Sequence, residues 1–176
     1  MNIANKVTVL RLLLIPVFLV LYYIYGSTNN LAAIVFVVAS LTDALDGHLA
    51  RSRNLVTTFG KFVDPLVDKI LTMAAFVVLV EGSIIPAWAV IIIIARELII
   101  TGFRTLAADK GITIAASKWG KLKTTSQMVA LVLLLLNNTS LNQIGIYVFY
   151  LAVILTIISG LDYIIKNKEV LDLENI

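Results

Sequence analysis

Four aspartates and two glycines recur at fixed intervals in Asp43-Ala-Leu-Asp46-Gly47-His-Leu-Ala50-Arg51 and Gly60-Lys-Phe-Val-Asp64-Pro-Leu-Val-Asp68. Asp43, Asp46, Gly47 and Ala50 stand at i, i+3, i+4 and i+7, which is one face of a helix, and Asp64 and Asp68 at i, i+4 share another. Two such faces in contact converge four carboxylates. An all-oxygen donor set suits Mg2+ or Mn2+. Four carboxylates can hold two such ions about 3.5–4 Å apart, the arrangement that clamps both oxygens of an in-line phosphoryl displacement. Gly47 and Gly60 remove side chains where a ligand or another backbone must come close. Arg51, one turn beyond Gly47, offers a planar fork suited to phosphate. The plainer alternative pairs the acids with nearby Arg and Lys and assigns the glycines to helix packing. Four acids at this spacing exceed the local demand for salt bridges.

The surroundings of these acids make them costly. The chain has 176 residues, of which 60% are hydrophobic and 14% charged, with a mean hydropathy of +0.97. That is the composition of an integral membrane protein. An ionisable side chain in hydrocarbon costs roughly 2.5–3.5 kcal/mol on insertion scales, so an acid there is a candidate functional residue. The absence of cysteine excludes disulfides and thiolate chemistry, and His48 is the only histidine, so any metal must rely on oxygen ligands. The net charge of +3 comes from basic residues between apolar runs, which speaks for membrane topology and against nucleic-acid binding.

Apolar runs long enough to span a bilayer are predicted at 7–25, 31–50, 62–80, 84–107, 124–136 and 144–165. The expectation is an all-α, polytopic membrane protein with six transmembrane helices, forming a single transmembrane domain over residues 1–176. The first run lacks a small-residue cleavage pattern and reads as retained. The fifth is short and opens in the polar stretch Lys121-Leu-Lys123-Thr-Thr-Ser-Gln127. Segments 26–30, 81–83 and 137–143 carry no Lys or Arg. The intervening ones carry Arg51, Arg53 and Lys61, then Arg104, Lys110, Lys118, Lys121 and Lys123, with Lys6 and Arg11 at the start and Lys166 and Lys168 in the tail. The positive-inside rule puts both termini in the cytoplasm. The polar residues then fall in the inner-leaflet half, around a cavity open to the cytoplasm and the adjoining lipid.

The pattern D-x-x-D-G-x-x-A-R-x8-G-x-x-x-D-x-x-x-D resembles the signature of the CDP-alcohol phosphotransferases at every specified position. The resemblance implies a six-helix membrane enzyme, usually a homodimer, that displaces CMP from a CDP-linked donor. It implies two divalent metals, Mg2+ or Mn2+, among Asp43, Asp46, Asp64 and Asp68, with Asp68 also the general base. It implies CDP contacts from Gly47, Ala50, Arg51 and Gly60, and from Asn5 and Thr8 near the start. Outside this core, Asn5-Lys-Val-Thr8-Val-Leu-Arg11, Ala95-Arg96-Glu97-Leu98, Gly102-Phe-Arg104 and Ala115-Ala-Ser117-Lys118-Trp-Gly120-Lys121-Leu-Lys123-Thr124 resemble the branch that uses glycerol 3-phosphate. That likeness implies CDP-diacylglycerol and glycerol 3-phosphate as substrates, membrane lipid as surroundings, and a bacterial plasma membrane with the active site facing the cytoplasm. Arg104, Lys118 and Lys121 are the candidates for the acceptor phosphate; the simpler role for the lysines is the positive-inside bias and attraction to anionic headgroups.

Other polar residues carry smaller claims. Arg96 and Glu97 read as a buried ion pair or a tie to another helix, and Asp162 and Lys166 as an exposed i, i+4 pair. His48 has no assigned role. Trp88, Trp119 and the tyrosines read as interfacial anchors. Two other functions compete: a sibling enzyme with phosphatidylglycerol, serine or inositol phosphate as acceptor, and a divalent-cation transporter. Acids gathered at one depth beside an arginine disfavour a permeation path.

Overall fold

The computed structural model describes residues 3–26, 29–52, 58–109, 111–112, 114 and 117–168; of residues 3–7, 43–52, 58–65 and 68 it describes the backbone alone. Six helices account for nearly all of it: α1 (Ile3–Tyr25), α2 (Leu31–Ser52), α3 (Thr58–Glu81), α4 (Ala87–Asp109), α5 (Lys118–Leu135) and α6 (Thr139–Lys166). Among the described residues there is no strand. Among the described residues, two segments are long and apolar enough to cross a membrane by length and composition, Thr8–Tyr25 in α1 and Thr139–Lys166 in α6.

All six helices expose large apolar side chains, among them Leu13, Ile34, Val77, Ile91, Val129 and Ile154. The interior meanwhile holds Thr8, Arg11, Lys123, Gln127, Thr156 and Ser159. Water would not tolerate so extensive an apolar exterior on a monomer, whereas hydrocarbon favours it.

Cross-links between helices fix their directions. The Tyr22 hydroxyl donates to the Val78 carbonyl at 3.2 Å, so the late turns of α1 and α3 meet. Arg104 Nε donates to the Tyr163 hydroxyl at 3.1 Å, which does the same for α4 and α6. The Asn137 amide, just after α5, donates to Asn30 Oδ1 just before α2 at 2.6 Å. Consecutive helices therefore alternate in direction. One end of the bundle gathers Asn30, Glu81, Ser83 and Asn138; the other gathers Lys69, Arg104, Lys118, Lys121 and Lys166.

The helix starts differ from the hydropathy reading where capping decides them. α5 begins at Lys118, not residue 124, because the Ser117 side chain accepts from the Gly120 amide at 3.0 Å. α6 begins at Thr139, not 144, under an Asn138 side chain that accepts from the Leu141 amide at 3.1 Å. An N-cap satisfies a backbone donor whether or not an apolar residue follows, so hydropathy overlooks it. α4 begins at Ala87, not 84, after a turn in which Ser83 takes φ 56° and Pro86 precedes the helix.

The tightest helix pair is α5 with α6. At Gly145 a Cβ would stand 3.0 Å from Leu133 Cβ and from Leu134 Cγ and Cδ2. The two backbones approach closely because glycine is there, the device that replaces hydrophobic driving force inside a bilayer. Gly145→Ala is expected to cost about 1–3 kcal/mol through overpacking, read as a lower unfolding midpoint in detergent; an unchanged midpoint would show that α5 and α6 can move apart freely.

Candidate active site

The buried stripes of α1, α2 and α3 all turn polar at the basic end. On α1 the stripe of Phe18 and Ile15 continues to Arg11 and Thr8, which are 0% and 1% exposed, and its register reaches position 5. On α2 buried Ala32, Phe36 and Ala39 lead in register to positions 43, 46 and 50. On α3 buried Ala75, Leu71 and Val67 lead back to positions 68 and 64. α1 packs against both α2 and α3, and these two touch each other. The motif positions thus share one end of a three-helix contact. The side chains of Asn5, Asp43, Asp46, Ala50, Arg51, Asp64 and Asp68, with positions Gly47 and Gly60, lie outside the described side chains.

Beside this contact opens a cavity of about 520 Å³. α3 contributes Lys69, the residue directly after Asp68; α4 contributes Arg96, Glu97, Thr101 and Arg104; α5 contributes Lys121, Thr124 and Thr125; α6 contributes Tyr163. Arg104 is fixed in place twice. Its Nε donates to the Tyr163 hydroxyl, and its guanidinium lies 5.4 Å from the centre of the Tyr163 ring, within cation–π range. Tyr163 is itself 2% exposed and packs edge-on against Phe103 at 5.7 Å. Tyr163 is therefore no interfacial anchor, contrary to the expectation for the tyrosines.

Glu97 organises the cations around it. Its Oε1 pairs with Arg96 Nη1 at 3.0 Å and with Lys123 Nζ. Arg96 Nη2 donates on to Ser159 Oγ at 3.1 Å, so one carboxylate ties α4 to α5 directly and to α6 through Arg96. The expected ion pair and helix tie are both present. Lys123 is buried as part of this knot, while Lys121, two positions earlier and about 200° around the helix, faces the cavity.

Among the described residues, Lys69, Arg104 and Lys121 form no ion pair, whereas Arg96 and Lys123 are both paired with Glu97. The cavity thus presents three cations that make no described ion pair; Glu97 lies near Lys69, while Arg104 and Lys121 are left to favour an anion. Of the expected acceptor residues, Arg104 and Lys121 come together here. Lys118 lines an adjoining cleft of about 460 Å³ with Trp119, Asp162 and Lys166; Ser117 and Tyr163 form walls of both spaces. The expected Asp162–Lys166 pair forms at 2.7 Å. Sequence reasoning missed Lys69, Thr101 and Tyr163. Lys69 carried one usable signal, its place immediately after the last acid of the motif.

A second, wholly apolar cleft of about 370 Å³ lies between α2 and α5, lined by Phe36, Val37, Leu41, Met128, Val132 and Leu133 among others. Its last lining residue on α2, Leu41, stands two positions before Asp43, about 3 Å along the helix axis.

Comparison with known proteins agrees with the motif. Residues 1–158 match the family model described as CDP-alcohol phosphatidyltransferase. The chain is 40% identical to the CDP-diacylglycerol–glycerol-3-phosphate 3-phosphatidyltransferase of Bacillus subtilis (strain 168), covering 99% of each chain. It is 41% identical to the protein of the same name from Haemophilus influenzae, covering 99% of this chain and 97% of that one. With the Rickettsia prowazekii protein of that name the identity is 38%, over 92% of this chain and 93% of the other.

The Glu97 knot generates a stability prediction. Glu97→Gln leaves two cations in the interior without their carboxylate and is expected to cost about 3 kcal/mol, read as a lower denaturation midpoint. Lys123→Gln in addition is expected to restore part of that loss; strictly additive losses would mean that Glu97 and Lys123 are not coupled.

Proposed function

The chain belongs to the CDP-alcohol phosphatidyltransferase family, and from that premise we propose that it transfers the phosphatidyl group of CDP-diacylglycerol to glycerol 3-phosphate, giving phosphatidylglycerophosphate and CMP. The observation that carries the choice of acceptor is the cavity beside position 68, with Lys69, Arg104 and Lys121 on its walls and no described carboxylate paired to any of them. These cations suit a phosphate-bearing acceptor, glycerol 3-phosphate or inositol phosphate, over serine. The names of the relatives from Bacillus subtilis and Haemophilus influenzae support glycerol 3-phosphate.

In this reading all six helices span the membrane with both termini in the cytoplasm, the protein is a homodimer, and the site opens to the cytoplasm. The donor's nucleotide lies against Gly47, Ala50, Arg51 and Gly60 with Asn5 and Thr8, and its acyl chains leave sideways through the apolar cleft between α2 and α5. Asp43, Asp46, Asp64 and Asp68 suit two Mg2+ or Mn2+ ions, since they offer only oxygen donors from two helices in contact. When bound, such ions stabilise negative charge on the pyrophosphate and on the departing CMP.

The protein's own groups do the rest. Arg104 and Lys121 bind the acceptor phosphate, with Lys118 at the rim. Asp68 takes the proton of the acceptor's 1-hydroxyl. The freed oxygen bonds to the β-phosphorus of the donor as the bond from that phosphorus to the CMP-side bridging oxygen breaks. Position 11 adds a fixed cation, since Arg11 is fully buried on the α1 face that leads to the motif. Holding both substrates in line removes much of the entropic barrier.

Asp68→Asn, assayed for CMP release from CDP-diacylglycerol with saturating Mg2+ or Mn2+, is expected to lose about 10²- to 10⁴-fold in kcat. Near-normal turnover would reject Asp68 as the base. The acceptor is tested by CMP release across glycerol 3-phosphate, phosphatidylglycerol, serine and inositol phosphate. Turnover should follow glycerol 3-phosphate alone, and preference for another member would reassign the acceptor. Metal flux into liposomes without nucleotide would instead favour a transporter.

A further inference from the structure

Lys69 occupies a position that the motif does not specify. It is half-buried on α3, follows Asp68 directly, and sends its amine across to α4, where Nζ donates to the Thr101 hydroxyl. The Thr101 hydroxyl spends its own proton on the Glu97 carbonyl at 2.6 Å, so it is oriented to accept from Lys69. An ammonium has three donors. One is used on Thr101; Glu97 lies nearby but, among the described residues, makes its ion pairs with Arg96 and Lys123 and not with Lys69.

Thr101 and Arg104 are i, i+3 on α4, neighbours on one face about 4.5 Å apart along the axis. Lys69 therefore docks one turn from Arg104, on the wall of the same cavity. Its Cα is bonded through one peptide unit to that of Asp68, a Cα separation of about 3.8 Å. A ligand whose anionic group reaches Arg104 therefore has the Lys69 amine one turn away on the same wall.

Resting on the acceptor reading above, we propose that Lys69 binds the acceptor's phosphate directly and is a specificity-determining residue for phosphorylated acceptors. Thr101 acts as its rest, holding the amine in the cavity between turnovers. Lys69 completes a phosphate cradle drawn from three helices: Lys69 from α3, Arg104 from α4 and Lys121 from α5. The alternative is a purely structural role, in which Lys69 only staples α3 to α4 through Thr101.

Steady-state kinetics on the full-length enzyme separate the two. Lys69→Gln keeps a donor for Thr101 and removes the charge. It is expected to raise KM for glycerol 3-phosphate by about 10- to 100-fold, the usual worth of a charged hydrogen bond, with KM for CDP-diacylglycerol moved less than about threefold. Inorganic phosphate should compete with glycerol 3-phosphate in the wild type, and its inhibition constant should rise by a similar factor in Lys69→Gln. Lys69→Arg should recover part of both losses. Thr101→Val, which removes the staple but keeps the charge, should move the acceptor KM far less than Lys69→Gln does. Equal effects of Thr101→Val and Lys69→Gln, or an acceptor KM within twofold of wild type in Lys69→Gln, would overturn the proposal while leaving the reaction standing. Wild-type enzyme that releases no CMP with glycerol 3-phosphate would overturn the acceptor reading, and this proposal with it.

Discussion

The carboxylate of Glu97 is the constraint on which the basic end of the bundle depends. It sits half-buried on the cavity wall between Arg96 and Lys123, and its ion pair with Lys123 is the reason that cation can be buried. Pairing at this depth also fixes geometry. α5 can approach α4 only in the register that delivers Lys123 to Glu97, and Arg96 reaches α6 only in the register that meets Ser159. Behind Arg96 the α6 backbone is close enough that a Cβ on Gly160 would lie 3.2 Å from Arg96 Cγ, so the arginine is held from the back as well. These registers set where Lys121 and Arg104 end up. A charge knot that does no chemistry thus decides which cations face the cavity.

The same economy governs the other side of the site. α1, α2 and α3 each run an apolar stripe from the neutral end of the bundle and change to polar residues over the last turns before the basic end. The change costs little at a depth where water and headgroups can reach, and much more a few turns further in. Aromatic contacts between helices, Phe18 with Phe36 at 6.0 Å and Phe76 with Phe149 at 6.0 Å, belong to the apolar part of the bundle. The middle of the bundle is thus apolar, and because the helices alternate in direction the basic residues collect at one end while Asn30, Glu81 and Asn138 lie at the other.

Much of this was legible in the residues. Six apolar runs gave six helices, the distribution of Lys and Arg gave the basic end, and the acid spacing singled out α2 and α3. The ends of the helices were not legible, because Ser117 and Asn138 set them through single side-chain hydrogen bonds that hydropathy averages away. The roles of individual cations were not legible either. Lys118, Lys121 and Lys123 form one cluster in sequence, but a helix started by Ser117 sends them to a side cleft, to the cavity and to Glu97 respectively. Tyr163 looks like any tyrosine near a helix end; only its burial against Phe103 and beneath Arg104 reveals that it orients a guanidinium.

Charge balance explains why so polar a site can persist in an apolar molecule. The half-buried Arg96 and the buried Lys123 are neutralised within the protein by Glu97. Lys69, Arg104 and Lys121 make no described ion pair, and the motif carries four acids against the single arginine Arg51. In the proposed reading the acids of the motif and the cations of the cavity serve different partners. On that proposal a divalent cation among the acids and an acceptor phosphate among the cations would complete both at once. Binding is then strongest when both are present, because each new charge relieves a cost already built into the folded chain. Replacing these groups with apolar residues of similar size would make a more comfortable membrane protein, and one with nothing to hold its substrates.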